Sequence, residues 1–325
     1  MIDFVRMRIE EVGFSSRILN HPDLCFAKRL TKRNNLVYCA GYKNMNFEVF
    51  EPSGIVIIQG SIHYLFNNGL HNYNDFFRLD LFDLIADFCN QFSIKPESAF
   101  LEGFEFGVNV KVSFEPSHFI KRILAYKAGK IEALTDKTDS GNAIKIPFDQ
   151  YRIKLYSKSN HFDLDNHLLR FEVKVKKMAK LKVYVCVQTL QDLMKPEILE
   201  KLGKMLLKEF NSLLVLEPLN ISQLTARERA SFRKMSTRRY WESLPNKSQR
   251  NYSKGRFKEI TAKYGQDLHG QVYAVIAEKL DELIMIDQPE RLAEIKTISQ
   301  GVKVKERAKL IMFFSHYVNP RISTF

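Results

Sequence analysis

Two alternating segments, Tyr151–Lys158 and Leu168–Lys176, carry the side chains of this chain that are best suited to chemistry. Successive side chains of a β-strand point to opposite faces, so every second residue of each segment shares a face. If the segments pair as strands, one face carries a tyrosine, a carboxylate and several cations, namely Lys154, Tyr156, Lys158, Arg170, Glu172 and Lys174. This mixture favours phosphodiester cleavage with Tyr156 as the nucleophile.

A tyrosine suits strand transfer because its phosphate ester conserves the energy of the phosphodiester bond for a later rejoining. The phenol is a poor nucleophile at its pKa of ~10, so nearby cations must favour the phenoxide. Lys154 and Lys158 lie two residues before and after Tyr156 on the same face, and they are predicted to do this. The alternative is an ordinary strand tyrosine, since tyrosine is common in strands.

A third alternating segment, Phe100–Glu115, places Glu105 and Asn109 on one face and bulky apolar residues on the other. Carboxylates such as Glu105 and Glu172 suit Mg²⁺ or Mn²⁺, which polarises a scissile phosphate. Asn109 and His63 complete the predicted metal ligands. The alternatives are a cross-strand ion pair for Glu172, a hydrogen bond within the sheet for Asn109 and a satisfied histidine at position 63.

Strand-like and helical segments alternate up to residue 215, which predicts an α+β domain with a central antiparallel sheet and flanking helices. Further strands are predicted at Ile2–Ile9, Asn35–Gly41, Asn46–Phe50 and Gly54–Gly60. Helices are predicted at Asn74–Phe92, Pro116–Ala128 and within Leu190–Leu214, where Pro196 fits the first helical position. Residues 129–149 are predicted to form a loop, and Asn72 and Asp75 are interpreted as turn and cap residues.

Residues 216–325 have no strand pattern and are predicted to form a basic, all-helical DNA-binding domain. Between Arg227 and Lys263, 12 basic residues oppose 3 acidic ones, so these 37 residues carry +9 of the net charge. Aromatic residues are interleaved with the cations, a pattern typical of nucleic-acid binding, whereas the alternative is a solvated charged surface. The predicted DNA contacts are Arg233, Lys234, Arg238, Arg239, Arg250, Lys254 and Arg256, with Arg170 and Lys174 from the sheet.

The composition indicates a polyanionic partner. The net charge of the 325 residues is +13, which favours nucleic acid or an anionic membrane surface. No apolar run reaches the ~20 residues that span a bilayer, so no membrane association is expected. The N-terminal Met1–Ile9 is strand-like and unlike a signal peptide, and the four cysteines form no CxxC pair. A reduced cytoplasm is the expected location.

Three stretches, in their order along the chain, resemble the rolling-circle replication initiators of the filamentous-phage gene II replication endonuclease family. Met1–Ile9 resembles that family's opening strand, and Gly107–Ser117 resembles its acidic strand and the start of the following helix. Leu155–Lys158 followed by Leu169–Lys176 is similar to its nucleophile strand and its R-F-E-x-x-x-K strand. The resemblance covers roughly residues 1–210.

The resemblance implies metal-dependent nicking of one strand of an origin, which links the enzyme to a 5′-phosphate and frees a 3′-OH for rolling-circle synthesis. It implies Tyr156 as the nucleophile, Lys158 as the neighbouring cation, and Glu172 with its flanking cations as the rest of the site. A host helicase and polymerase are the implied partners, in a bacterial cytoplasm if a phage or plasmid encodes the chain. Where the family has Arg-Ile-Asp this chain has Gly107-Val-Asn109, so Glu105 is the residue expected to supply the acid.

Two other classes of function remain open from the residues. A non-enzymatic initiator that binds origin repeats and recruits host enzymes explains the basic helices equally well, and a structural nucleic-acid-binding protein is the third possibility. The non-enzymatic initiator gives no reason for clustering Tyr156, Glu105 and Glu172.

Overall fold

The computed structural model describes residues 1–31, 36–51, 53–134, 143–181 and 184–285. The strands are β1 (Ile2–Ile9), β2 (Ala27–Leu30), β3 (Leu36–Tyr42), β4 (Met45–Phe50), β5 (Ile55–Ser61), β6 (Phe100–Lys111), β7 (Ile123–Tyr126), β8 (Glu132–Ala133), β9 (Ala143–Pro147), β10 (Tyr151–Ser157), β11 (Leu168–Val175) and β12 (Leu213–Val215). The helices are α1 (Phe14–Leu19), α2 (Ile62–Phe66), α3 (Arg78–Gln91), α4 (Pro116–Lys121), α5 (Lys158–Phe162), α6 (Pro196–Phe210), α7 (Ala226–Met235), α8 (Arg238–Ser243), α9 (Lys247–Tyr264) and α10 (Leu268–Met285).

A large antiparallel sheet organises the fold, in the strand order β2-β3-β4-β5-β1-β6-β11-β10-β9-β8. Each neighbouring pair runs antiparallel, and β7 and β12 form a separate antiparallel pair. The expected α+β class with a central antiparallel sheet is therefore confirmed. The three segments with the candidate residues become β6, β11 and β10, which lie side by side near one end of the sheet.

The central strands form because large apolar residues recur at every second position. In β6 the buried face carries Phe104, Phe106, Val108 and Val110, and β10 and β11 continue this face with aliphatic and aromatic residues. These side chains join one hydrophobic core with buried residues of α3, α6 and α10. Burying each of them stabilises the fold by roughly 1.5–3 kcal/mol, so the apolar face fixes which side of each strand turns inward.

Helix α6 begins as its sequence predicts. Pro196 occupies the first helical position, where its missing N–H removes no hydrogen bond. Leu199, Leu202 and Leu206 follow at helical spacing and are buried. The predicted helix at Asn74–Phe92 begins later, at Arg78, where the Asp80 carboxylate accepts a hydrogen bond from the Phe77 N–H at 3.0 Å.

Two stretches differ from their predictions because long-range strand pairing overrides the local pattern. The helix that was predicted from Pro116 to Ala128 ends at Lys121, since β7 follows and pairs with β12. The predicted loop at 129–149 contains β8 and β9, and β9 pairs along β10. The part of that loop at 135–142 lies outside the described residues.

The basic segment forms helices α7, α8 and α9 around a small apolar cluster. Phe232, Trp241 and Phe257 are buried there together with Leu124 and Leu214, which come from the β7–β12 pair. Residues Met1–Ile284 form one compact unit. The predicted division at residue 215 stays a prediction, as does an all-helical domain to residue 325, since 286–325 lies outside the described residues. Among the described helices, none is long and apolar enough to cross a membrane.

Candidate functional site

The strand register brings the predicted polar face together. Tyr156 of β10 lies opposite Arg170 of β11, and Arg170 lies opposite Asn109 of β6. In the next row Lys154 is opposite Glu172, and in the row after that Lys174 is opposite Glu105. The three strands therefore place these side chains in adjacent rows, within reach of one another.

Gly107 allows the carboxylate of Glu172 to lie close to β6. The two residues are directly paired across the strands. A Cβ at position 107 would lie 2.6 Å from the Cβ of Glu172 and 2.4 Å from the carbonyl oxygen of Phe171. A larger residue at this position would push β11 away from β6, so the glycine is part of the geometry of the site.

Glu172 is the centre of the network and is 1% exposed. Its Oε1 accepts a hydrogen bond from Lys154 at 2.6 Å. Its Oε2 accepts from Arg170 Nε at 3.0 Å and from the Tyr156 hydroxyl at 3.3 Å. Burial alone would raise the pKa of this carboxyl, but Lys154 and Arg170 outweigh burial and hold its pKa far below the usual range. Glu172 is therefore ionised at neutral pH.

Lys154 joins the two predicted metal ligands to each other. Its ammonium lies 3.3 Å from Oε2 of Glu105 in addition to its contact with Glu172, and Lys174 lies 2.6 Å from Oε1 of Glu105. Burial alone would lower the pKa of Lys154, but the two carboxylates raise it. Burial and the charge of Glu172 raise the pKa of Glu105, so acidification protonates Glu105 before Glu172.

Arg170 lies beneath the surface rather than on it. It is 2% exposed, and its guanidinium donates to Glu172, to Oδ1 of Asn109 at 3.2 Å and to Oδ2 of Asp3 at 3.2 Å. Although burial alone would lower its pKa, Glu172 and Asp3 raise it, so the group stays charged. The sequence predicts Arg170 as a DNA contact, but in the structure its guanidinium holds the carboxylates in place.

Tyr156 is partly exposed at the edge of this network. Lys154 binds the carboxylates, and the Lys158 ammonium lies over the aromatic ring, 5.3 Å from its centroid. Burial, followed by the charge of Glu172, raises the pKa of Tyr156 well above its ordinary value. The sequence predicts that flanking lysines favour the phenoxide. The structure instead holds a protonated phenol that donates to a carboxylate.

Lys158 is a buried lysine, 2% exposed, at the first position of α5. Its ammonium donates to Oδ1 of Asn72 and lies 5.0 Å from the ring centroid of Phe162. Burial and the nearby charge of Arg170 lower its pKa to about 8. A lysine with such a pKa can exchange a proton near neutral pH, which makes it a candidate general acid.

Two residues of the network, Asp3 and Asn72, were not predicted from the sequence as residues of the site. Asp3 accepts hydrogen bonds from Arg170, from the Asn72 amide at 2.9 Å and from the Ser61 hydroxyl. The strand pattern does not identify Asp3, because the register between β1 and β6 shifts between Ile2 and Val5. The buried Asn72 is more than the predicted turn residue, since it links Asp3 to Lys158. The available sequence signal for Asp3 was that it is a single acidic residue at the start of an otherwise apolar strand.

The other two predicted metal ligands have different partners. His63 is buried, stacks on the Phe76 ring at 5.0 Å and has Nε2 2.9 Å from Oδ1 of Asn74. Burial lowers the pKa of His63 to about 3, so its ring is neutral. Asn109 accepts from Arg170 and donates to the backbone carbonyls of Asn72 and Tyr73, both at 3.2 Å. Asn109 thus anchors the 71–77 loop over the sheet.

The carboxylate oxygens of this site are already satisfied by donors of the chain itself. Each of the six oxygens of Asp3, Glu105 and Glu172 accepts from at least one ammonium, guanidinium, amide or hydroxyl group. Within the described part of the chain, no group of three or more His, Cys, Asp or Glu residues could hold a metal ion. While Lys154 stays in place, the side chains as arranged therefore do not fit Mg²⁺ or Mn²⁺.

A rim of partly exposed aromatic rings borders Lys158 and was not predicted as a functional feature. The Phe162 ring lies 5.1 Å from that of Tyr73, 4.7 Å from that of His161 and 6.5 Å from that of Tyr64. His71 stacks on Tyr73 at 4.1 Å. We call these five residues the aromatic rim. Exposed rings beside cations are the surface on which unpaired nucleobases stack.

The predicted DNA contacts of the helical region differ in how far their side chains are exposed and in whether they bind other parts of the chain. Arg233, Lys234 and Arg239 are exposed. Arg238, in contrast, donates to the carbonyl oxygens of Ile123 and Ile120 at 2.7 and 3.2 Å, and so it ties α8 to β7 and to α4.

Arg250, Lys254 and Arg256 are half-buried. Arg250 donates to the Leu244 carbonyl at 3.3 Å, and Arg256 lies 3.1 Å from Glu259. Of the interleaved aromatics, Trp241 is buried in the helical core. Tyr252, which is 78% exposed, is the one best placed to meet a ligand.

The fold and the site together define an antiparallel sheet with a buried ion-pair network, a tyrosine at its edge and an aromatic rim. No protein-family model matches the chain, and a search of curated proteins finds no relative. The function is therefore proposed from the chemistry of the side chains.

Proposed function

We propose that the protein is a replication initiator that nicks one DNA strand by attack of Tyr156 on a phosphodiester. The observation that carries the proposal is the hydrogen bond from the Tyr156 hydroxyl to Oε2 of Glu172, 3.3 Å, inside a network of ion pairs. The hydrogen bond orients the phenolic oxygen, and the carboxylate is an acceptor for its proton as the bond to phosphorus forms. The ordered motifs that resemble the gene II replication endonuclease family support the same function.

In the proposed step the Tyr156 oxygen attacks phosphorus and the bond between phosphorus and the 3′-oxygen breaks. The phenolic proton passes to Glu172. The departing 3′-oxygen takes a proton from Lys158, whose lowered pKa of about 8 suits a general acid. The products are a 5′-phosphotyrosyl link and a free 3′-OH, which primes rolling-circle synthesis with a host helicase and polymerase.

The proposed substrate has a duplex part and an unpaired part. The aromatic rim offers stacking surfaces for unpaired bases next to Tyr156. The exposed Arg233, Lys234 and Arg239, within the proposed basic helical domain, offer phosphate contacts to duplex DNA. In this proposal the protein recognises a duplex origin and places one unpaired DNA strand over the sheet.

The test uses the full-length protein and single-stranded oligonucleotides of random sequence labelled at the 5′ or the 3′ end, with Mn²⁺ or with EDTA. We expect a covalent adduct that carries the 3′ label and lacks the 5′ label, because the link is to a 5′-phosphate. The adduct is lost in Tyr156→Phe and kept in Tyr64→Phe, a matched change in the aromatic rim. An adduct formed by Tyr156→Phe, or one that carries the 5′ label, contradicts the proposal.

A non-enzymatic origin-binding initiator is the second candidate. The closed set of ion pairs around Glu172 favours it, since a fully satisfied buried network is a stable structural element without any reaction. Incubation with supercoiled plasmid separates the two candidates. Relaxed circles that depend on Tyr156 support the nicking enzyme, whereas specific binding without relaxed circles supports the binding protein.

A further inference from the structure

We propose that the ammonium of Lys154 is the resident cation between Glu105 and Glu172, and that a divalent metal enters this position only by displacing it. The Lys154 nitrogen lies 2.6 Å from Oε1 of Glu172 and 3.3 Å from Oε2 of Glu105. It is thus the group that bridges the two carboxylates that the sequence predicts as metal ligands. The role of this position in catalysis rests on the proposed function, but the occupancy itself does not.

Charge balance argues that the ammonium and a divalent ion exclude each other. The network connected by direct ion pairs holds three anions and three cations, namely Asp3, Glu105, Glu172, Lys154, Arg170 and Lys174. It is formally neutral. A divalent ion added without loss of a lysine would leave +2 in a largely buried cluster, and uncompensated buried charge is strongly unfavourable.

Lys154 is the cation whose departure frees ligands for a metal. Its removal opens one oxygen on each of two carboxylates, whereas Lys174 pairs with a single carboxylate, that of Glu105. Arg170 is held by three partners and its side chain is 3% exposed, while that of Lys154 is 19% exposed on a flexible stem. Lys154 can therefore swing toward solvent, while Arg170 stays in place.

The test measures Mn²⁺ binding to the full-length protein through the paramagnetic resonance signal of the free ion. We expect Lys154→Met to bind Mn²⁺ about tenfold or more tightly than the wild type, because a cation within 4 Å of the site is removed. The matched change Lys174→Met, which removes a lysine from one carboxylate only, is expected to give a much smaller gain. Equal binding by the wild type and Lys154→Met, including no binding by either, overturns the proposal.

Two further variants locate the ion and guard against misfolding. Adding Glu105→Gln to Lys154→Met must abolish the gain, and a gain that survives places the ion elsewhere and overturns the proposal. Lys154→Gln, which is neutral and can hydrogen-bond both carboxylates, is the second probe if the methionine variant does not fold. Because Mn²⁺ binding is measured without DNA, a Tyr156→Phe protein that still forms adducts would refute the nicking function and leave this inference standing.

Discussion

The hydroxyl of Tyr156 donates a hydrogen bond to Oε2 of Glu172, a carboxylate that is almost fully buried and ionised. The same oxygen also accepts from Arg170, so the tyrosine is tied to the network that organises three strands. The relationship orients the phenol and raises its pKa at the same time. Four experiments test its consequences and those of the surrounding structure.

Glu172→Gln removes the negative charge between Lys154 and Arg170. We expect a loss of about 3–5 kcal/mol in the free energy of unfolding, because Lys154 and Arg170 each lose an ionised partner in a largely buried network. Urea denaturation measures it. The matched control is Glu102→Gln, whose partly exposed ion pairs with Arg6 and Arg8 should contribute under about 1 kcal/mol. Similar losses for the two variants would mean that Glu172 is no more than another ion-pair partner.

The lowered pKa of Lys158 predicts that the protein becomes more stable at alkaline pH. Its pKa is about 8 in the fold against the ordinary 10.5 of a lysine in the unfolded chain, so between these values the unfolded chain binds more protons. The free energy of unfolding of the wild type therefore rises from pH 8 to 10.5, relative to Lys158→Met, by roughly 3 kcal/mol. Arg170 and Lys154 disfavour the charged form of Lys158, while Asp3 and Glu172 favour it.

Urea denaturation of the two proteins at steps of pH measures this difference. Lys111→Met, at the exposed end of β6, is the matched control and should show no such rise relative to the wild type. A difference between wild type and Lys158→Met that stays constant across the range would contradict the assignment of Lys158 as the shifted group.

Phe162→Leu should weaken binding of single-stranded DNA and spare binding of duplex DNA. Loss of one base-stacking ring costs about 1–3 kcal/mol, which corresponds to roughly 5- to 150-fold in affinity. Fluorescence anisotropy with labelled single-stranded and duplex oligonucleotides measures both. Phe100→Leu changes an exposed aromatic at the start of β6 and should leave single-strand affinity unchanged. If it weakens single-strand binding as much as Phe162→Leu does, the aromatic rim is not a distinct site.

Arg238 and Arg239 are adjacent but have opposite expected effects. Arg238→Ala removes hydrogen bonds to two backbone carbonyls and should lower the free energy of unfolding by about 1.5–3 kcal/mol, without changing the salt dependence of DNA binding. Arg239→Ala should leave stability within about 0.5 kcal/mol and reduce the slope of log affinity against log salt by about 1. Denaturation and salt titrations measure the two quantities. Reversed effects would show that DNA contacts Arg238 instead.

The sequence by itself determined the strands of the site and the face on which each side chain lies. A period of two in β6, β10 and β11 requires that Glu105, Tyr156 and Glu172 share the face opposite the apolar residues, and the structure has them there. The same pattern predicted the antiparallel α+β class. These features follow from local chemistry, since burial of every second side chain decides the orientation of a strand.

Only the tertiary structure decided which partner each polar group takes. Periodicity assigns a face but no neighbour, so it could not show that Lys154 bridges two carboxylates rather than assisting Tyr156. It also could not place Asp3, which reaches Arg170 across 167 positions of the chain and beside a register shift in β1. Such contacts depend on how distant segments pack, because a buried charge must find its partner wherever the fold brings one within hydrogen-bonding distance.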